Sequence, residues 1–313
     1  MTGVADWLNI VVRFGLYVDL MLLFGLSCFG VYAVHGEERR SGQVIRFTTW
    51  LPILTAVGLL LSAVALAVLV AIISGSTLVD MDRETAGILL NETAVGIAWK
   101  VRIGALLGAL AVAALVRSPS PRLWMYLGAS ATALGTLAWG GHAATAEGTF
   151  GTFDLASDIL HLLAAGVWVG ALFALVLLLF SSTIRTSRNQ LRLAHRSLDG
   201  FSKIGTIVVA VLTLTGLFNG WRRIGPAHLL SLPNSPYGQL LLIKLVLFGL
   251  MLALASLNRF RLTPALARGL DAAGNIPTVA SLRTSLALET GAAVAILALV
   301  AWFGTLEPPI PTG

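Results

Sequence analysis

The chain predicts an all-α fold, a polytopic membrane bundle of about eight transmembrane helices with both termini outside. Three observations predict it. Of the 313 residues, 57% are hydrophobic and only 12% are charged, whereas soluble domains carry roughly 25% charged residues, so lipid must serve as the solvent. The apolar residues fall into uninterrupted runs of about 20, the length that crosses ~30 Å of hydrocarbon. Basic and acidic residues then sort into alternate connections, as they do when the connections face opposite sides of a bilayer.

The runs follow in order. The first, Leu16 to Val34, is preceded by Asp6 rather than by a basic cluster and is longer than the ~7–15-residue core of a secretory signal, so it reads as a true span. Arg39, Arg40 and Arg46 follow it. The second, Leu51 to Ile73, leads to an acidic connection with Asp80, Asp82, Glu84 and Glu92. The third, Ile97 to Val116, and the fourth, Leu123 to Gly141, flank Arg117 and Arg122; beyond the fourth come Glu147, Asp154 and Asp158. The fifth, Ile159 to Phe180, leads to Arg185, Arg188, Arg192, Arg196 and Lys203, and the sixth runs from Ile204 to Trp221. The seventh, Leu240 to Leu257, is followed by Arg259, Arg261, Arg268 and Arg283, and the eighth runs from Leu286 to Phe303. One side thus collects 14 of the 21 Lys and Arg residues. The positive-inside rule makes that side the inner one. Seven tryptophans, Trp7, Trp50, Trp99, Trp124, Trp139, Trp221 and Trp302, fall near span ends, where indoles prefer the headgroup level. Trp168 lies about ten residues into the fifth span, where its N–H needs a partner.

Residues 1–313 therefore read as a single membrane domain. The connections, about 5–25 residues long, are too short to host a soluble nucleotide-binding domain. Any transport must be passive or ion-coupled. The net charge of +6 is explained by sidedness and not by nucleic acid. The lone Cys28 excludes internal disulfides and a cysteine-rich metal site. No Cys-Pro-Cys, phosphorylated-aspartate or Gly-Lys-Ser signature is present, no catalytic residue is expected, and the five methionines form no cluster at ligand spacing.

Ionisable groups inside spans cost at least a few kcal/mol each and are the first candidates for function. Four stand out: Asp19, His161, Lys244 and Glu289. His161 sits roughly one turn inside the outer face. Asp158 lies three residues earlier and Trp168 seven later, so the three share one helix face. His142 closes the fourth span, and antiparallel packing of spans four and five brings both imidazoles to one outer depth. Two histidines with a carboxylate suit a borderline divalent ion such as Cu(II) or Zn(II). The competing reading has His142 bonded to headgroups and His161 to a carbonyl across the helix interface. Glu147 and Asp154 would concentrate cations at the mouth, and His228 could join from the next outer loop. Asp19 and Lys244 are expected to form a buried ion pair between spans one and seven, either structural or proton-linked. Glu289 is expected to clamp to Asn258 or Arg259. The pairs Gly166 with Gly170 and Gly104 with Gly108 are expected to allow close helix approach.

Two stretches carry a family resemblance. One comprises Thr215, Gly216, Leu217, Phe218, Asn219, Gly220 and Trp221, then Tyr237, Gly238, Gln239 and Lys244, then Asn258, Arg259, Pro264 and Glu289. The other is Gly141, His142, Ala143 and Ala144, followed by Asp158, His161 and the run Leu162 to Gly170. These resemble the copper resistance protein D family of bacterial inner-membrane proteins, with 199–305 as the family-like core. The resemblance implies copper homeostasis, with a copper ion moved across the inner membrane. His142 and His161 would be its ligands, with Asp158 as a supporting ligand or an acceptor that orients the imidazole. It also implies a periplasmic copper-binding partner of the copper resistance protein C type, which would deliver copper to this methionine-poor chain. Two other readings stay open: a membrane b-type cytochrome with haem-ligating histidines, and a nonconducting scaffold that docks the periplasmic partner.

Overall fold

A computed structural model describes residues 4–34, 45–78, 81–140, 148–181, 188–224, 233–271 and 276–306. All of its regular structure is helical among the described residues. In chain order the elements are α1 (Val4–Tyr32), α2 (Phe47–Ser74), the short α3 (Arg83–Glu92), α4 (Ala94–Leu115) and α5 (Pro119–Gly135), the last prolonged by a 3₁₀ segment (Thr136–Gly140). They continue with α6 (Gly148–Phe180), α7 (Arg188–Ile224), α8 (Pro236–Leu257), a π-helical segment (Asn258–Leu262), α9 (Thr263–Asp271) and α10 (Ile276–Phe303).

Among the described residues seven helices are long and apolar enough to cross a membrane: α1, α2, α4, α6, α7, the α8–α9 segment and α10. α5 completes the alternation. Its 17 helical residues and 5-residue 3₁₀ extension span about 35 Å at ~1.5 and ~2.0 Å per residue, enough for the ~30 Å of hydrocarbon. The chain is thus a multi-pass membrane protein. Two elements outrun their apolar stretches. α7 starts at Arg188, well before the predicted Ile204, because its inner part is amphipathic: Leu193, Ala194 and Leu198 are buried while Arg192, Arg196 and Lys203 are exposed. α8 likewise runs on through the π segment into α9.

α1 is the axis of the bundle. Within its apolar window 61% of residues are buried, against 6% for the α8–α9 segment, whose surface is left to lipid. α1 packs against α2, α5, α6 and α10; α6 in turn packs against α7 and α10, and α8 lies on α10. The seam between α1 and α6 is made by glycines. A Cβ on Gly25 would stand 2.7 Å from Gly170 Cα, and one on Gly166 would stand 3.0 Å from Leu134 and Phe24 side-chain carbons. Small residues let the backbones meet, as expected of Gly166 and Gly170. The same expectation fails for Gly104 and Gly108, where an added Cβ meets nothing within 4 Å. Spacing alone marks small residues but not which face is turned inward. At the inner end, Arg283 of α10 donates from Nε to Leu179 O at 2.8 Å, satisfying a terminal carbonyl of α6.

The seam makes a direct prediction. Gly170→Val should force α1 and α6 apart at a cost of about 3 kcal/mol, read as a clear drop in the thermal midpoint in detergent. Gly108→Val on the open face should leave that midpoint nearly unchanged.

Candidate functional site

The outer half of the α6–α7 interface is a ladder of three polar contacts. Asp154 receives Arg222 Nε at 3.0 Å and Nη2 at 3.1 Å. Asp158 Oδ1 accepts from Asn219 Nδ2 at 2.8 Å. His161 Nδ1 meets Thr215 Oγ1 at 2.8 Å. The donors and acceptors recur at spacings of three and four on both helices, so each set occupies one helix face.

The last contact determines the tautomer of the imidazole. The Thr215 hydroxyl has one hydrogen, and it donates to Val211 O at 2.6 Å. Thr215 Oγ1 therefore accepts from His161, so Nδ1 carries the hydrogen and Nε2 carries the lone pair. A neutral imidazole held through Nδ1–H with Nε2 as donor atom is the usual form of a metal-ligating histidine. Gly216, one residue after Thr215, lies beside the ring: a Cβ there would make an ordinary van der Waals contact with His161 Cε1 at 3.7 Å.

Three cavities follow one another along this part of the bundle. The outer one, about 160 Å³, is lined by Asp158, His161 and Asn219 together with Arg13 and Tyr17 of α1 and Tyr237 and Lys244 of α8. The middle one, about 550 Å³, is almost wholly apolar and shares His161 and Lys244 with the outer one. The inner one, about 320 Å³, shares Trp168 with the middle one and is bordered by Asn258, Arg259 and Glu289. Trp168 is 2% exposed. Its Nε1 donates to Glu289 Oε1 at 2.8 Å, the partner that its depth demanded. Asn258 Nδ2 donates to Glu289 Oε2 at 3.1 Å. The polar groups of the fifth, seventh and eighth spans are thus brought to one line of cavities.

Several expectations are revised. His142, His228 and Glu147 lie outside the described residues. Among the described residues no three His, Cys, Asp or Glu side chains converge as a metal cage. At His161 Nδ1, Thr215 takes the orienting role expected of Asp158. Asp154 does not stand as an open lure for cations, since Arg222 is paired with it. Asp19 and Lys244 do not form an ion pair: neither Asp19 oxygen has a hydrogen-bond partner, and its Oδ2 lies against Gly58 of α2. The helix period is the reason. Arg13 and Tyr17, four residues apart, turn toward the outer cavity, and Asp19 lies about 200° round α1 from Tyr17. Lys244 instead stands 5.7 Å from the Phe303 ring centre. Thr215 and Asn219 belong to the site without having been singled out for it. Their signal was a polar pair four residues apart within an apolar span.

The chain matches two family models: "Copper resistance protein D-like, N-terminal domain" over residues 4–152 and "Copper resistance protein D" over residues 195–303. It is 42% identical to the copper resistance protein D of Pseudomonas syringae pv. tomato over 98% of this chain and 99% of that one. It is 29% identical to the inner membrane protein YebZ of Escherichia coli (strain K12), over 96% of this chain and 98% of that one. With the copper transport protein CutJ of Bacillus subtilis (strain 168) it shares 34% identity over 56% of this chain and 29% of that protein. No solved structure matches the chain.

The ladder's rungs should differ in worth. Arg222→Ala, at the exposed outer rung, is expected to cost less than about 1 kcal/mol and to lose even that in high salt. Asn219→Ala strands a part-buried carboxylate oxygen and should cost about 1–3 kcal/mol. Thermal unfolding in detergent at low and high salt separates the two.

Proposed function

The chain belongs to the copper resistance protein D family, and from that premise we propose that it carries copper inward across the inner membrane from a histidine site near the outer face. The observation that carries this reading is His161. Its Nδ1–H is held by Thr215, its Nε2 keeps the donor lone pair, and it lines both the outer and the middle cavity. A ligand at that junction binds an ion arriving from outside and faces the next cavity inward.

His142, which the sequence places at the end of the fourth span, is proposed as the second nitrogen ligand. Asp158 is proposed as an oxygen ligand on the same face of α6, held in place by Asn219. Lys244 and Trp168 would act beyond the ligands, at the two ends of the middle cavity. Asp19, turned away from the cavities, is assigned no part in passage. Two or three ligands make a site that binds and releases, as passage requires. A periplasmic copper-binding protein of the copper resistance protein C type is proposed to deliver the ion, because the five methionines of this chain form no capture cluster.

The test is metal content and optical spectrum after copper loading and desalting, for the wild type, His161→Ala, Thr215→Val and the His142→Ala, His161→Ala pair. His161→Ala should lose the nitrogen-bound copper. Thr215→Val, which removes the group holding the imidazole, should weaken binding by about 10–100-fold. Uptake by reconstituted vesicles should fall in the same order. Equal copper in all four proteins sinks the proposed ligands, and a Soret band would make the chain a haem protein instead.

A further inference from the structure

Glu289 is 1% exposed, and both of its oxygens accept hydrogen bonds from neutral donors, Trp168 Nε1 and Asn258 Nδ2. No Lys or Arg pairs with it among the described residues. Arg259, the cation nearest along the chain to Asn258, is turned to α7, where it donates from Nη1 to Ser202 O at 3.1 Å and to Thr206 Oγ1 and stands over the Phe260 ring. A carboxylate held by neutral donors in a bilayer core lacks a counter-charge, and leaving it so costs several kcal/mol.

Beside it stands a second acceptor without a partner. Asn258 is 7% exposed, and its Oδ1 is buried with no hydrogen bond. Its amide orientation is not arbitrary: Nδ2 must face the carboxylate, so Oδ1 faces away from it. Both residues line the same 320 Å³ inner cavity. Asn258 also opens the π-helical segment Asn258–Leu262, a local widening of the helix of the kind that gathers at functional sites. A carboxylate, an unpartnered amide oxygen and a cavity wide enough for an ion with its waters are the parts of an oxygen-ligated cation site.

We propose that the inner cavity is a second cation station, in which Glu289 and the Oδ1 of Asn258 take the ion that has left His161, before it exits at the inner face. This rests on the reading of the chain as a copper carrier and adds to it a step with different ligand chemistry. Nitrogen holds the ion on the outer side, and weaker oxygen ligands hold it on the inner side, where release is needed. Trp168 lies between the two stations. Its indole forms part of the wall of both the middle and the inner cavity and is bonded to the inner carboxylate, so an ion that draws Glu289 toward itself also pulls on the partition.

Cu(II) loaded into the full-length protein in nanodiscs tests this by electron paramagnetic resonance, because imidazole ligands impose nitrogen coupling and oxygen ligands do not. The wild type should show both kinds of signal. Replacing His142 and His161 with Ala should leave the uncoupled one, and adding Glu289→Gln to that background should weaken its binding at least tenfold. Asn258→Asp, which adds a second carboxylate at the station, should tighten it at least tenfold, a gain that a merely structural contact would not give. A wild type with the nitrogen-coupled signal alone, or an uncoupled signal indifferent to Glu289→Gln or to Asn258→Asp, overturns the inner station and leaves the His161 reading standing. An uncoupled signal that answers to both variants, without any nitrogen-coupled copper, overturns the His161 reading instead.

Discussion

Hydrocarbon offers no hydrogen bonds, and the arrangement of this protein's interior follows from that constraint. Hydroxyls in the spans bond back to their own helix, as Ser27 and Thr55 do, whereas Asp158, His161 and Trp168 find partners on another helix, and those partners tie helices together. α6 carries most of this burden. Asp154, Asp158 and His161 bind it to α7 on the outer side, Trp168 binds it to α10 at mid-depth, and Arg283 caps it at the inner end. The same contacts that make α6 the organiser of the second half are the ones that line the cavities. Structure and candidate function therefore draw on one set of side chains.

The polar contacts specify partners, but they do not bring the halves of the chain together. That falls to the glycine seam, where Gly25 of α1 meets Gly166 and Gly170 of α6. With no hydrophobic drive between helices in lipid, close van der Waals approach is what remains, and only residues without a Cβ permit it here. Gly166 and Gly170 lie between His161 and the inner end of α6, so the seam also sets how far α6 leans over α1. Arg13 and Tyr17 reach the outer cavity across that same junction.

The fold was readable because its signals are long. Runs of about 20 apolar residues and a one-sided distribution of arginine do not depend on which way a helix is turned. The site was readable only in part, for the opposite reason. Asp158, His161 and Trp168 share a face of one helix, which spacing reveals. Which helix lies opposite is a property of packing. Thus Lys244 was paired with Asp19 on depth alone, whereas the rotation of α1 turns Asp19 toward Gly58. Asn219 and Thr215 were visible as polar residues in an apolar span, yet only the angle of α7 shows that they meet Asp158 and His161. Glu289 was placed near Asn258 correctly from their similar depth, although its helix starts at Ile276, ten residues before the apolar run, and so puts Glu289 at mid-helix rather than near an end.

The charges along the cavities vary in a way that bears on direction. The outer cavity carries Arg13 and Lys244 against one carboxylate, Asp158. The inner cavity carries Glu289 against Arg259, whose guanidinium is engaged by α7. Between them the middle cavity is nearly all apolar and includes Lys244 at its outer end. A cation entering by the proposed path would therefore meet repulsion at the outer mouth, which a nitrogen or carboxylate ligand at that depth would offset. His161 and Asp158 are positioned to do so. On the proposed inward path, an ion past Lys244 would face a carboxylate that pairs with no Lys or Arg among the described residues, so the electrostatic slope beyond the outer site would favour inward movement.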